Sequence, residues 1–181
     1  GLHVDFDLGN AADDYLGSNV TNSTFFAYNG DSLDEGGGGF GLCPPMQNVT
    51  FLNGPLAPPG DGKDNNHNNL VDEMNEDIGL SSFVSYVSAN NSPTSYPMLM
   101  EDYYSYLVPR WLDNTPIMYG GNGYGQGIGA TNIPTSFMYP DSSNSAFTTP
   151  WTMQSAGILP DDMRGVGAAG PFTWPPDSMV S

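Results

Sequence analysis

Basic residues are almost absent from this chain of 181 residues. Lys63, Arg110 and Arg164 are the only Lys and Arg, against 20 Asp and Glu, which gives a formal net charge of −17 at pH 7. Nucleic acids and anionic membrane surfaces are bound mainly through clusters of Lys and Arg. The sequence therefore predicts no nucleic-acid partner and no attachment to an anionic membrane.

Cysteine, histidine and long apolar runs are also scarce. Cys43 has no second cysteine for an internal disulfide, and together with His3 and His67 it does not make the usual zinc site. No stretch approaches the roughly 18 consecutive apolar residues of a membrane-spanning helix. We therefore expect no membrane insertion and no zinc.

Signatures of catalysis are few. The chain has no Gly-x-Ser-x-Gly elbow, and the glycine-rich run 117–129 is not followed by the helix that a phosphate-binding loop needs. A Ser–His–Asp arrangement stays open, because its members meet only in the folded chain. The adjacent carboxylates at 13–14 and 161–162 fall in predicted turns, where ligand or solvated charge explains them better than glycosidase chemistry. We predict that the chain is not an enzyme.

The stretch 60–76 carries the most informative pattern in the sequence. Oxygen-bearing side chains recur through it at Asp61, Asp64, Asn66, Asn68, Asp72 and Glu73. Ca2+ takes roughly six to eight oxygen ligands from carboxylates, amides and backbone carbonyls. The sequence therefore predicts a Ca2+-binding loop at 61–76, with His67 pointing outward. The alternative is a polar surface loop, because Asn and Asp favour turns.

The match of this loop to an EF-hand is incomplete. Asn69 stands where an EF-hand loop has glycine, and Asn tolerates the left-handed conformation better than most residues. The bidentate Glu that ends an EF-hand loop is replaced by Asn75. We therefore expect the ion to use Asp72 together with Glu73 or Glu76.

A second acidic group lies near the start of the chain, at Asp5, Asp7, Asp13 and Asp14. A strand end and the turn that follows it would bring these carboxylates together around a second Ca2+. The alternative is an acidic, solvated face with an Asp-rich turn. A further acidic turn at 161–165 contains Arg164, which we expect to pair with a nearby carboxylate.

Alternating apolar residues and frequent turns predict an all-β fold, mainly an antiparallel β-sandwich of jelly-roll-like type with long loops. Strands are predicted at 1–8, 22–28, 49–52, 80–87 and 136–139, with a strand and a tight loop at 117–129 and short strands from 151 and 170. One inserted α-helix is predicted at 97–113, where apolar residues recur at helical spacing and Pro109 kinks or ends the helix. Its aromatic face is expected in the core. We expect a single module, 1–181, that is a fragment of a longer chain.

Several segments, taken in order, carry a family resemblance. They are Asp-Phe-Asp-Leu-Gly at 5–9, Asp-Asp-Tyr-Leu-Gly at 13–17, Tyr-Asn-Gly-Asp at 28–31, Pro-Pro at 44–45, Gly-Pro at 54–55, the insert 61–73, the run 115–124, and 162–173. In this order they resemble the large secreted proteins of Bacteroidota that often carry a type IX secretion sorting domain.

The resemblance implies a β-rich module at an extracellular or cell-surface location, with other domains or subunits of the same surface assembly as partners. It does not imply a chemistry. Members of the group usually have Asp, Asp and Gly where this chain has Asn66, Asn68 and Asn69, so we expect weaker Ca2+ binding. The sorting domain is not within the chain.

Glycosylation signals are consistent with this location. Asn-x-Ser/Thr triplets begin at Asn19, Asn22, Asn48 and Asn90. The segments 31–33 and 177–179 are similar to the Asp-Ser/Thr-apolar sites at which Bacteroidota attach O-glycans. These signals predict that the chain belongs to a glycoprotein.

The leading hypothesis is a calcium-stabilised structural or adhesive module, in a filament, a surface layer or a secretion substrate. The first alternative is a carbohydrate-binding or accessory domain beside a hydrolase, with exposed Tyr119, Tyr124 or Trp151 stacking on glycans. A hydrolase domain is the second alternative.

Overall fold

The computed structural model describes residues 1–36, 38–87, 92–174 and 176–177. Within these residues, ten β-strands, one α-helix and one short 3-10 helix form. The strands are β1 (Leu2–Asp5), β2 (Asp14–Asn19), β3 (Thr24–Asn29), β4 (Leu33–Asp34), β5 (Gly41–Leu42), β6 (Gln47–Thr50), β7 (Ser82–Val87), β8 (Met118–Gly120), β9 (Ala130–Pro134) and β10 (Met163–Ala168). The helices are α1 (Met100–Leu107) and the 3-10 helix Ala11–Asp13. Every pair of these strands is antiparallel, which confirms the predicted fold class.

Two three-stranded sheets make the two layers, in the orders β1–β10–β7 and β2–β3–β6. Phe25 of β3 stacks on Phe83 of β7 with ring centroids 5.0 Å apart, and Phe6 meets Phe25 edge-on at 5.8 Å. These rings fill the space between the sheets, as in a sandwich. The shorter pairs β4–β5 and β8–β9 lie outside the two main sheets.

Strands β2 and β10 are not predicted by the sequence, because glycine and polar residues interrupt their apolar alternation. In the structure, Gly17 of β2 lies under the ring of Phe26, its direct cross-strand neighbour. Gly167 of β10 lies against the ring of Phe25, and a Cβ at either glycine would overlap the ring. Gly17 is therefore covered by an aromatic side chain of the neighbouring strand, and Gly167 by one of the facing sheet. The predicted acidic turn at 161–165 runs directly into β10.

Three predicted strands do not form in the described residues. The segment 136–139 makes only an isolated bridge between Phe137 and Phe83, and 151–153 makes only one between Trp151 and Asp141. Prolines at 134, 140 and 150 bound these segments, and proline has no N–H to donate to a ladder. Phe137 and Trp151 are instead buried in the core. The predicted short strand at 170 is also not formed in its described part, 170–174.

The α-helix is shorter than the predicted 97–113. It spans Met100–Leu107, and the Asp102 carboxylate accepts hydrogen bonds from the backbone N–H groups of Met98 and Leu99, both at 2.9 Å. This carboxylate fixes the start of the helix, where negative charge is favoured. The helix ends two residues before Pro109, as expected of a residue that cannot continue a helix.

The helix contacts the core mainly through one residue. Tyr106 is fully buried and stacks on Tyr86 of β7 at 4.9 Å, with Trp111 edge-on at 6.1 Å. Tyr104 and Leu99, by contrast, are 65% and 63% exposed. The predicted burial of the aromatic face is therefore confirmed only for its Tyr106–Trp111 end.

One hydrophobic core joins both sheets, the helix and the segments that follow it. The largest fully buried side chains among the described residues are Trp111, Tyr86, Tyr106, Phe6, Phe25, Phe83, Leu16, Ile78, Leu80, Ile117, Met138 and Met153, and all but Ile78 belong to this core. No helix in the described ranges is long and apolar enough to cross a membrane.

Candidate cation sites

Backbone hydrogen bonds hold together the two chain segments that flank the predicted Ca2+ loop, 61–76. The Ala57 N–H donates to the Glu76 carbonyl and the Ile78 N–H donates to the Pro55 carbonyl, both at 2.8 Å. His67 lies inward, contrary to the prediction: its Nε2 is 2.9 Å from the Leu80 carbonyl oxygen. These contacts join the two flanks of the loop and attach His67 to the backbone at Leu80. The loop therefore has a defined position on the sandwich.

Backbone amides of the loop bond its carboxylates. Asp64 accepts the N–H of Asn68 at 3.0 Å and the N–H of Asn69 at 2.8 Å. Both oxygens of Asp72 are 3.2 Å from the Gly62 nitrogen, while Asp61 accepts the N–H of Lys63 at 3.0 Å. The Asp61 bond to the Lys63 N–H has the spacing of an Asx turn, whereas the other bonds join residues four, five and ten positions apart. Asn69 has φ 71°, which confirms the predicted left-handed conformation.

Asn66, Asn68 and Glu73 converge within the loop. The Asn66 side-chain amide donates to Glu73 Oε1 at 3.0 Å, and the Asn68 side-chain amide donates to the same oxygen. These two bonds hold the pKa of Glu73 below its ordinary value, so the carboxylate is ionised at neutral pH. Its other oxygen, Oε2, is buried and has no hydrogen-bond partner in the described part of the chain. Glu73 Oε2 is therefore the buried loop oxygen without a described partner, although no three of the loop's described carboxylates have oxygens within 4.8 Å of one another.

The second predicted site is divided by the fold. Asp5 and Asp7 form a group with Asp162, in which one carboxylate oxygen from each lies within 4.8 Å of the others. Arg164 pairs with Asp5 at 2.9 Å and with Asp162 at 3.0 Å, which confirms its predicted role. Burial and then repulsion by Asp5 and Asp162 raise the pKa of Asp7. A metal ion here would share this group with the guanidinium of Arg164.

Asp13 and Asp14 are not in that group; they lie at one end of the second sheet. Asp14 opens β2, is fully buried, and accepts the Leu8 N–H at 3.0 Å through Oδ2. Burial raises the pKa of Asp14 to about 6, and repulsion by Asp13, Asp34 and Asp7 adds to the increase although the Leu8 bond opposes it. Burial, followed by repulsion from Asp34, also raises the pKa of Asp13.

Two polar residues beside Asp14 are missing from the sequence prediction. Asn29 lies directly opposite Asp14 in the β2–β3 register and is 7% exposed. Asp34 is 2% exposed and accepts the N–H groups of Asn10 at 3.0 Å and Phe40 at 2.8 Å. The strand alternation at 22–28 could have placed Asn29 on the inward face. A local pattern offers no comparable signal for Asp34.

The predicted stacking platform for glycans is not exposed. Tyr119 and Trp151 are only 5% and 3% exposed, so two of the three proposed residues lie in the core. Tyr124 is half-buried, and its hydroxyl donates to Asp113 at 2.9 Å. The carbohydrate-binding alternative thus loses most of its predicted contact surface.

Further candidates from the sequence are His3, Cys43 and two of the glycosylation signals. The ring nitrogen Nε2 of His3 bonds the Tyr86 hydroxyl, and Cys43 is exposed. The triplet that starts at Asn90 lies outside the described residues, as does most of the segment 177–179.

A scan of protein-family models finds no match to this chain, and comparisons with curated proteins and with solved structures find none either. The function is therefore argued from the sequence and from the sites themselves.

Proposed function

We propose that this chain is a calcium-stabilised, non-catalytic structural or adhesive module of an extracellular or cell-surface protein. The observation that carries the proposal is its charge balance. All 20 acidic side chains lie within the described residues, where the ion pairs are those of Arg164 with Asp5 and Asp162. Self-repulsion of this size destabilises a compact state unless bound cations offset it.

The donor chemistry favours Ca2+ among common cations. The loop offers carboxylate and amide oxygens, the hard ligands that Ca2+ prefers, and Glu73 contributes an ionised carboxylate with one buried, unbonded oxygen in the described part of the chain. On binding, we expect Asn66 and Asn68 to rotate their amide groups so that oxygen rather than nitrogen faces the ion. Both oxygens of Glu73 would then be free to coordinate.

An extracellular location fits a weak site. Calcium sites of extracellular modules have Kd values of roughly 10⁻⁴ to 10⁻³ M, and affinity falls as the number of charged ligands falls. Asn66 and Asn68 stand where the Bacteroidota surface proteins that the sequence resembles usually have Asp. A type IX secretion substrate would meet Ca2+ outside the cell, in contact with other domains or subunits of its surface assembly.

Thermal unfolding of the full chain tests the proposal. At a Ca2+ concentration about ten times Kd, binding adds about 1.4 kcal/mol, which should raise Tm by about 3–6 °C over the value in EDTA. Glu73→Gln should lose the loop's share of this increase. Glu101→Gln removes the same charge from the exposed first turn of α1 and should retain the increase.

Equal Tm values in Ca2+ and EDTA at matched ionic strength would contradict the proposal. Binding on a glycan array would instead favour the carbohydrate-binding alternative, and turnover of a polysaccharide or peptide would favour a hydrolase.

A further inference from the structure

Four buried oxygens at one end of the second sheet have no hydrogen-bond partner among the residues that the structure describes. They are Asp13 Oδ1, Asp13 Oδ2, Asp14 Oδ1 and Asn29 Oδ1, and they are the strand-end oxygens. Asp14 is 0% exposed and Asn29 is 7% exposed. A buried oxygen that loses water without gaining a donor carries a desolvation penalty. A proton on a carboxyl group, another hydrogen-bond donor or a cation would satisfy the strand-end oxygens.

The strand-end oxygens come from adjoining backbone positions. Asp14 of β2 and Asn29 of β3 are direct cross-strand partners, so their side chains lie on the same face of the sheet. Asp13 precedes Asp14, and its carbonyl accepts the Gly30 N–H at 2.7 Å. The backbones that carry the four oxygens are thus tied together by the end of the β2–β3 ladder.

Hydrogen bonds to the backbone orient two of these side chains. The Asn29 amide nitrogen donates to the carbonyls of Asp31 at 3.3 Å and Leu33 at 3.4 Å, which turns Oδ1 away from that turn. Asp14 uses Oδ2 to accept the Leu8 N–H, which leaves Oδ1 for another partner. Each side chain therefore has one polar atom bonded to the backbone and one buried oxygen without a described partner.

The charge around these oxygens is negative. Asp34 lies near enough to Asp13 and Asp14 to raise the pKa of both carboxyls. Its own oxygens already accept backbone N–H groups, from Asn10 and Phe40. In the described ranges, the ion pairs of the chain involve Arg164 and none of these three carboxylates.

We propose that Asp13, Asp14 and Asn29 bind a Ca2+ ion through the strand-end oxygens, with Asp34 as a neighbouring charge that strengthens binding without coordinating. The donors are all oxygen and two of the three side chains are carboxylates, which is the ligand chemistry that a hard divalent cation prefers. Such an ion would join the start of β2 to the end of β3. This site goes beyond the loop of the proposed function, because it uses other residues on other elements; the two share only the need for Ca2+.

Asp13→Asn is the sharpest test, because neither oxygen of Asp13 accepts a described hydrogen bond that folding would lose. In EDTA we expect this variant to have a higher Tm than the parent, since it removes a repelling charge. Calorimetric titration with CaCl2 should show one bound ion fewer, or that ion bound at least about tenfold more weakly, since even outer-shell changes commonly cost 10- to 100-fold.

Glu35→Gln is the matched control. Glu35 is exposed and lies close enough to raise the pKa of Asp13, so the change removes one nearby charge without removing a strand-end oxygen. It should bind as many ions as the parent. If Asp13→Asn also binds as many ions as the parent, with unchanged affinity, the cluster holds protons and the inference is overturned.

Asn29→Asp provides a second test that moves in the opposite direction. It keeps an oxygen at the same position and adds a negative charge, so Ca2+ should bind this site more tightly. Tm in EDTA should fall, both because of the added charge and because the amide bonds to the Asp31 and Leu33 carbonyls are lost. A lower Tm in EDTA with unchanged Ca2+ affinity would overturn the inference, even if Asp13→Asn did not fold.

The two calcium proposals fail separately. If Glu73→Gln loses an ion and Asp13→Asn does not, the strand-end site is refuted and the loop is retained. If Asp13→Asn loses an ion and Glu73→Gln does not, the strand-end site is supported and the loop is refuted. A parent chain that binds no Ca2+ refutes both.

Discussion

Two acidic regions of this molecule differ in where their carboxylates find hydrogen-bond donors. In the loop 61–76, carboxylates accept N–H groups from the loop itself. Asp64 accepts those of Asn68 and Asn69, four and five positions away, and the buried Glu76 accepts that of Asn65, eleven positions away. At the strand end, Asp14 and Asp34 are buried, and Asp34 reaches Asn10, which is 24 positions distant. The strand end therefore depends on the tertiary fold, whereas the loop is stabilised mainly by its own backbone.

The difference follows from where free backbone donors are found. A loop with left-handed residues can turn its N–H groups toward its own side chains, because no ladder uses them. At the strand end, the β2–β3 ladder already uses many of the backbone amides, so the strand-end oxygens have none left among the described residues. We expect the loop to tolerate substitution and loss of cations better than the strand end.

The largest contrast should come from two glycines with the same φ of 73°, Gly9 and Gly60. A Cβ at Gly9 would overlap the buried Asp34 carboxylate, whereas a Cβ at Gly60 meets nothing within 4 Å. Gly60→Ala should cost only the left-handed strain of about 1–2 kcal/mol. Gly9→Ala adds displacement of Asp34, for a total of about 3–5 kcal/mol. Urea unfolding in EDTA measures both, and equal losses would contradict the comparison.

The next largest effect is expected at Asp34. Asp34→Ala leaves the N–H groups of Asn10 and Phe40 without their buried acceptor, which should cost about 2–4 kcal/mol. Asp72→Ala removes an exposed carboxylate that accepts from Gly62, and should cost no more than about 1 kcal/mol. Urea unfolding in EDTA compares the two. A loss at Asp72 as large as that at Asp34 would show that the loop is not the tolerant region.

The pH dependence of stability in EDTA should have opposite signs in the two regions. The folded-state pKa of Asp14 is about 6, above its ordinary 3.8, so the folded state binds more protons between these values. Asp14 should therefore remove up to about 3 kcal/mol of stability as pH rises from 4 to 7.

Glu73 acts in the other direction. Its pKa is lowered by the Asn66 and Asn68 amides, so its contribution is present above the ordinary value of 4.5 and is lost as pH falls below it. Denaturation at several pH values checks both signs. Asp14→Asn should remove the loss at rising pH, and Glu73→Gln should remove the gain. The same slope in the parent and in Asp14→Asn would contradict the assignment.

The sequence predicts the fold class and several strands, including β3 at the centre of the second sheet, but it does not predict β10 at the centre of the first. Strand β7 is found because its apolar residues form a continuous run with Phe83 and Val84 at its middle. β10 is missed because part of its packing comes from a distant segment of the chain. The ring of Phe25 covers Gly167, and this contact leaves no pattern in the sequence of β10. The helix is found but overextended, since the spacing continues to Trp111 after the backbone has left the helix.

The two candidate sites also differ in how much of each can be predicted from the sequence. The loop is identified because its candidate ligands lie within one short stretch of sequence. The strand end is only half-identified: Asp13 and Asp14 are recognised, but they are grouped with Asp5 and Asp7. Asn29 and Asp34 lie beside them because β2 pairs with β3 and a turn follows β3. Strand pairing cannot be derived from a local motif.

The smallest expected effect is at Asn69, whose φ of 71° places it in the left-handed region. Asn69→Gly relieves the strain that a Cβ causes there, so the loop should gain about 0.5 kcal/mol in EDTA, partly offset by the greater entropy of glycine in the unfolded chain. Asn29→Gly, at the strand end, should destabilise instead, because the amide bonds to the Asp31 and Leu33 carbonyls are lost. Urea midpoints of the two variants check the pair of signs. If Asn69→Gly destabilises as much as Asn29→Gly, then the Asn69 side chain supports the loop, and the contrast between a self-sufficient loop and a fold-dependent strand end is wrong.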